Sequence, residues 1–181
     1  MRIFLSENKG FTFIELIITI FVLIVGILAA FIIAQSPLSY LNISLSRLTA
    51  SYLAQEGIEL VRNIRDGNWI GGVAWNNGLN SCKSTSHFCE IDYNDLNLNS
   101  ISKIQPPNFL NRESLGFYGY ASGAPTTFTR QITIDEIDNP DKNNGGSNKI
   151  LEVTVLIKWK EKNKDYDFSV QEHLYPYWPQ N

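Results

Sequence analysis

The chain has 181 residues, with 15 Lys and Arg against 18 Asp and Glu, a formal charge of -3, and 44% hydrophobic and 18% charged residues. That is enough chain for one globular domain behind an anchor. The basic residues are scattered and outnumbered, which excludes the dense cationic surface nucleic acid requires, so no nucleic-acid partner is expected.

The first ten residues, MRIFLSENKG, are polar and charged, and an unbroken apolar run from Phe11 to Ala34 follows, with a single acid in it. As a helix the run spans about 36 Å at 1.5 Å per residue, more than the roughly 30 Å of a bilayer's hydrocarbon core. Arg2 and Lys9 precede the run and the next basic residue after it is Arg47, so a single pass through the cytoplasmic membrane is expected with the N-terminus on the inner side and the C-terminal domain outside. The acid is Glu15, and an ionised carboxylate at the centre of a bilayer costs roughly 2.5 to 3.5 kcal/mol or more. A pure anchor does not need it.

A leader ending in Lys9-Gly10, an aromatic Phe11 directly after the glycine and Glu15 four residues further on together resemble the class III signal of type IV prepilins and pseudopilins. The resemblance is close over about the first 35 residues. It implies that a prepilin peptidase cuts after Gly10, that the new N-terminal Phe11 is methylated on its amine, and that Glu15 is the fifth residue of the mature chain. It also implies other pilin or pseudopilin subunits and an inner-membrane assembly machinery as partners. One departure stands out: many members carry a proline in the middle of the apolar helix, where this chain has Ile32, with Pro37 a few residues later.

The physics of Glu15 stands apart from the family. Once the bond after Gly10 is cut, Phe11 carries an ammonium about one helical turn from Glu15, and the two charges can neutralise each other at low dielectric. Between stacked subunits, the amine of one can reach the carboxylate of the next and set the axial register, because an unpaired charge there is expensive. The plain alternative is a first-turn carboxylate favoured by the helix dipole and snorkelling to the interface.

Pro37 kinks the apolar helix or begins a new one. Beyond it, Leu41, Leu45, Leu48 and Tyr52, continued by Ala54, Ile58, Val61 and Ile64, follow helical spacing, and Gly67 after Asp66 reads as the stop, with Arg62 and Arg65 in the last turn. The expected division is a leader over 1–10, an assembly helix over 11–36, an amphipathic helix over 37–67 and a globular domain over 68–181. The apolar stripe of the amphipathic part is expected to lie on a sheet. Ser46, Ser51, Gln55, Glu56, Glu59 and Arg62 form the opposite face, read as solvated or subunit-contacting.

The stretch 68–120 is rich in Asn, Gly and Ser and is expected to be irregular, with Trp69, Trp75, Tyr93 and Tyr118 either in the core or lining a ligand surface. Cys82 and Cys89 close a short loop that can form a disulfide outside the cytoplasm, contributing somewhat less than the usual 2 to 4 kcal/mol. Reduced thiols, or a metal held with the intervening His87, compete with that reading, although CxxxxxxC is not a zinc spacing. The last third alternates as antiparallel strands over 128–137, 151–159 and 166–174, turned by KEKNKD. The loop DEIDNPDKNNGGSN over 135–148 offers oxygen ligands without the EF-hand order, and a polar turn is the simpler reading.

No GxSxG, no HExxH and no cysteine–histidine pairing beyond the disulfide candidates occurs, and His87 and His173 stand alone, so no enzyme, cofactor or metal is expected. The expected fold is α+β and pilin-like: a long N-terminal helix, its second half packed on an antiparallel sheet of three or more strands. The expected function is that of a minor pilin in a type IV pilus-like filament; a pseudopilin of type II secretion and an anchored binding or adhesin domain that never polymerises are the alternatives.

Overall fold

The computed structural model of the protein describes residues 10–95, 97–102, 105–139 and 149–176. One helix, α1 (Phe13–Ile70), is followed by β1 (His87–Glu90), β2 (Asn99–Ser102), β3 (Phe109–Arg112), β4 (Tyr118–Gly119), β5 (Ala124–Asp138), β6 (Lys149–Glu161) and β7 (Lys164–Leu174). The fold is therefore α+β, with a long apolar N-terminal helix and an antiparallel sheet. The chain divides into two compact units, one ending at Leu45 and one beginning at Ser46.

In the first unit Phe13–Ala34 is apolar and long enough to cross a membrane, and none of it is buried. Helical backbone continues through residue 37, so the long N-terminal helix is one element and no second helix begins there.

The helix also ends later than expected. Gly67 is inside it, and no basic residue occupies the last turn. The stop is at Gly72, whose φ of +69° only glycine adopts freely. The amide of Val73 donates to the carbonyl of Asn68 at 3.0 Å and that of Gly72 to Trp69 at 3.1 Å, the paired bonds of a Schellman termination. A glycine that supplies the left-handed turn, and not the first glycine met, ends the helix.

In the second unit β5 is the central strand. It pairs with β6 from Thr129↔Lys158 to Asp138↔Lys149, and β6 pairs with β7 from Leu151↔Leu174 to Glu161↔Lys164. This is the expected meander, closed by a two-residue turn in which Lys162 and Asn163 both take positive φ, 48° and 62°, the backbone of a type I′ hairpin. The other edge of β5 was not expected: β1 and then β2, and separately β3 and then β4, extend the sheet to seven strands. The region read as irregular supplies these four short strands. Of the loop read as 135–148, residues 135–138 belong to β5 and 140–148 lie outside the described residues.

The sheet and the helix residues from Ala50 onward bury a common core of Ala50, Leu53, Ala54, Ile58 and Val61 against Ile132, Ile134, Val153, Val155, Ile157 and Trp159. Gly57 sets the approach distance: a Cβ there would meet Val155 Cγ1 at 3.0 Å and Arg130 Cδ at 3.3 Å. Arg130 stands on the inner face of β5 between Phe128 and Ile132 and is fully buried. Its guanidinium donates to the carbonyl of Leu53 at 3.3 Å, to Glu56 Oε2 at 3.2 Å and to the carbonyl of Ile91. One side chain thus joins helix, central strand and the segment after β1. A buried cation without partners would be untenable, and its three acceptors make it a clamp.

Replacing Arg130 by Ala strands Glu56 and two carbonyls and leaves a cavity. The unfolding free energy of the full chain in detergent should fall by about 3 to 5 kcal/mol, whereas Glu56→Gln, at a partly exposed position, should cost far less; denaturant titration measures both.

Candidate functional site

Gly10, Phe11 and Thr12 precede the helix in non-helical backbone, and Gly10 and Phe11 are exposed. The bond after Gly10 thus lies in exposed, non-helical backbone. Thr12 caps the helix: its carbonyl accepts from the amides of Glu15 at 3.1 Å and Leu16 at 3.2 Å, and its Oγ1 from Glu15 at 3.4 Å. Glu15 is therefore the third helical residue, in the T-x-x-E spacing of a capping box. The sequence carried that signal, and it adds a local reason for a glutamate at this position. Among the described residues no cation forms an ion pair with Glu15, which stands on an exposed apolar surface made by Phe13, Ile14, Leu16, Ile17 and Ile18.

The stripe Leu41, Leu45, Leu48 and Tyr52 does not lie on the sheet. Each of these side chains is 50 to 63% exposed, and the buried face starts at Ala50 and runs through Leu53, Ala54, Gly57, Ile58 and Val61. Of the expected stripe, Ala54, Ile58, Val61 and Ile64 do pack on the core, whereas Leu41, Leu45, Leu48 and Tyr52 do not. Ala50 and Gly57 lay outside that stripe because small residues carry little hydrophobic signal, although they permit the closest helix–sheet approach.

The face read as solvated is partly engaged. Arg62 donates from Nε to Glu172 Oε1 of β7 at 2.8 Å and pairs with Glu59 one helical turn earlier. The hydrogen bond to Glu172 holds the guanidinium above its ordinary pKa. Glu56 accepts from Arg130. Two of the six residues on that face are therefore tied to the sheet.

Cys82 and Cys89 form a disulfide with an S–S distance of 2.03 Å and Cα atoms 5.3 Å apart. Both are fully buried in the core. His87 at the start of β1 is instead within 2.8 Å of Ser86 Oγ through Nδ1. The disulfide loop is fixed to β5 by the amide of Ile134 donating to the carbonyl of Cys82 at 2.8 Å and that of Ser84 donating to Asp135 Oδ1 at 3.1 Å. Among the described residues no group of three His, Cys, Asp or Glu side chains is placed to hold a metal.

Of the four aromatics weighed between core and ligand surface, Trp75 and Tyr118 pack on the core, while Trp69 and Tyr93 are exposed. Elsewhere the structure brings together polar groups far apart in the sequence. Glu90 is buried and accepts from the backbone and side-chain amides of Asn108, both at 2.7 Å. Burial pushes its carboxyl above the usual range, against those two bonds and the charge of Arg130. Burial likewise raises Tyr120. His173, which is exposed, stands 3.2 Å from Glu152 across the outer face of β6 and β7.

Comparison with known proteins returned no matching family, curated protein or solved structure.

Two measurements follow from these side chains. Mass spectrometry of native protein should show Cys82 and Cys89 linked, and the Cys82→Ser, Cys89→Ser pair should lose about 2 kcal/mol of stability. Because the folded pKa of Glu90 lies above its unfolded value, the native state holds the extra proton between the two, and stability should decline as pH rises through that window. Glu90→Gln should remove that decline; a slope unchanged in the variant would assign it to another group.

Proposed function

We propose that this chain is a structural, non-catalytic subunit, a minor pilin, of a type IV pilus-like filament. It is made as a prepilin with a leader over residues 1–10, cut after Gly10 by prepilin peptidase and methylated on Phe11. The segment 11–36 holds it in the cytoplasmic membrane with the N-terminus inside, until the inner-membrane machinery moves it into an extracellular filament.

The observation that carries this reading is the exposed apolar surface of α1. It covers the whole circumference over Phe13–Ala34 and then narrows to one stripe that runs on to Tyr52, while the sheet covers a different face from Ala50 onward. A simple anchor needs apolar surface only within the bilayer. The exposed apolar side chains of Leu41, Leu45, Leu48 and Tyr52, which follow the span in the chain, call for a cover other than lipid, and neighbouring helices of like subunits provide one. Transfer from lipid to a bundle of such helices exchanges one apolar surrounding for another at little hydrophobic cost, which suits a filament that is extended and withdrawn. The exposed Gly10–Phe11 bond and the lone carboxylate of Glu15 support the processing and register steps.

Gly10→Leu should leave a full-length, unprocessed chain in the membrane on immunoblots; normal maturation would remove the peptidase assignment. Glu15→Ala should be inserted and cleaved yet absent from sheared filaments, and incorporation at the wild-type level would refute the register role. Tyr52→Lys, which charges the stripe without touching the buried face, should fold and mature normally but incorporate poorly.

A further inference from the structure

We infer that the notch where β5 and β6 part is a binding site for a neutral saccharide, held between an exposed phenyl ring and a lining of hydroxyls, amines and carboxylates. The site lies wholly within the unit beginning at Ser46. It goes beyond the filament reading and is independent of how the chain is anchored or assembled.

The notch follows from strand pairing. β5 and β6 keep step from Asp138↔Lys149 to Thr129↔Lys158. Beyond Lys158, β6 runs on to Glu161 with β7 as its partner. β5 instead pairs with β3, through a register that jumps from Phe109↔Thr129 to Asn111↔Pro125. The chain of β5 advances further than that of β3 between these pairs, a bulge that bends the strand where its ladder with β6 stops. A cavity of about 440 Å³ opens there, with Phe109, Thr127 and Thr129 on one wall and the β6–β7 hairpin on the other. That volume falls within the roughly 300 to 1,000 Å³ of small-ligand sites.

Three features of the lining select the chemistry. Phe109 is 60% exposed and stacks on no other ring among the described residues. A ring bared to water at a cavity wall offers an apolar face that the C–H groups of a pyranose can cover.

The second feature is balanced charge. Across the β6–β7 ladder Lys158 stands opposite Asp167 and Lys160 opposite Asp165, and all four line the cavity and are exposed. Among the described residues none of them closes into an ion pair. A polyanion would meet the two aspartates, a polycation the two lysines, and an apolar ligand would strip water from all four. A neutral ligand rich in hydroxyls, each both donor and acceptor, satisfies amines and carboxylates together. Thr127, exposed on the opposite wall, adds a hydroxyl of its own.

The third feature is an incomplete hydrogen bond. Trp159 lines the same cavity, stacked on Tyr166 at 5.6 Å between ring centres, and its buried Nε1 has no acceptor among the described residues. Native interiors seldom leave a donor unmatched. A hydroxyl seated against the indole is the acceptor that the chain itself lacks.

The test applies the full chain with its native disulfide, in a detergent without a sugar headgroup, to an array of immobilised oligosaccharides with neutral, sialylated and sulfated members. Binding should be confined to neutral members, and calorimetric titration with the strongest of them should saturate at a single site per chain. Phe109→Ala, at an exposed position, should weaken that affinity about tenfold, and Asp167→Asn should weaken it by a similar factor. Gln171→Ala, on β7 outside the cavity, should leave it unchanged. Circular dichroism checks that each variant is folded. Binding to no neutral oligosaccharide, or to anionic members alone, overturns the inference. Neutral binding that survives both Phe109→Ala and Asp167→Asn overturns it as well, because the sugar then sits elsewhere. Neither result touches the processing of the N-terminus, which sequencing of the mature chain reports separately.

Discussion

A single helix in this protein has to satisfy two surroundings, and its two apolar faces are the constraint from which the rest follows. Over Phe13–Ala34 the whole circumference is apolar and uncovered. From Ala50 onward one face is consumed by the sheet, and what remains uncovered is the stripe ending at Tyr52. A sheet can cover only one side of a helix, so the second stripe has to be covered by something outside the domain. Small residues at Ala50, Ala54 and Gly57 bring the sheet close enough that the buried face is narrow.

Arg130 converts that packing into a fixed geometry. Apolar contact alone lets a helix slide along a sheet, because dispersion and burial are non-directional. A fully buried guanidinium bonded to Leu53, Glu56 and Ile91 permits one register only, since any slip would leave the charge without acceptors. The Schellman stop at Gly72 closes the C-terminal end of the element.

Much of this was legible in the residues. The apolar run, the β5–β7 meander and the disulfide were each set by patterns of local origin: continuous hydrophobicity, strict alternation, and two cysteines in a short loop. The partner of each helix face was not legible, because periodicity identifies a face without saying what lies against it. Leu41, Leu45, Leu48 and Tyr52 proved exposed, while Ala54, Ile58, Val61 and Ile64 of the same stripe pack on the core beside Ala50 and Gly57, which gave almost no hydrophobic signal. Arg130 was passed over for a related reason: in FTRQITIDEI an arginine on the inner face looks like an exception to alternation, and only tertiary acceptors make it a core residue. Strands β1 to β4 are two to four residues long, too short for alternation to register, and owe their pairing to the edge of β5. At the candidate site, Gly10, Phe11 and Glu15 were read from spacing alone, and the structure added the Thr12 cap that places Glu15 in the first turn.

The account depends most on the claim that the helix begins its working life as a new N-terminus. Mass spectrometry of the N-terminal peptide from protein purified out of its native membranes or filaments tests it directly. The account predicts a peptide starting at Phe11 and carrying one methyl group on its amine, with residues 1–10 gone. A mature chain that retains Gly10 and the leader, or that starts elsewhere with an unmodified amine, would contradict it.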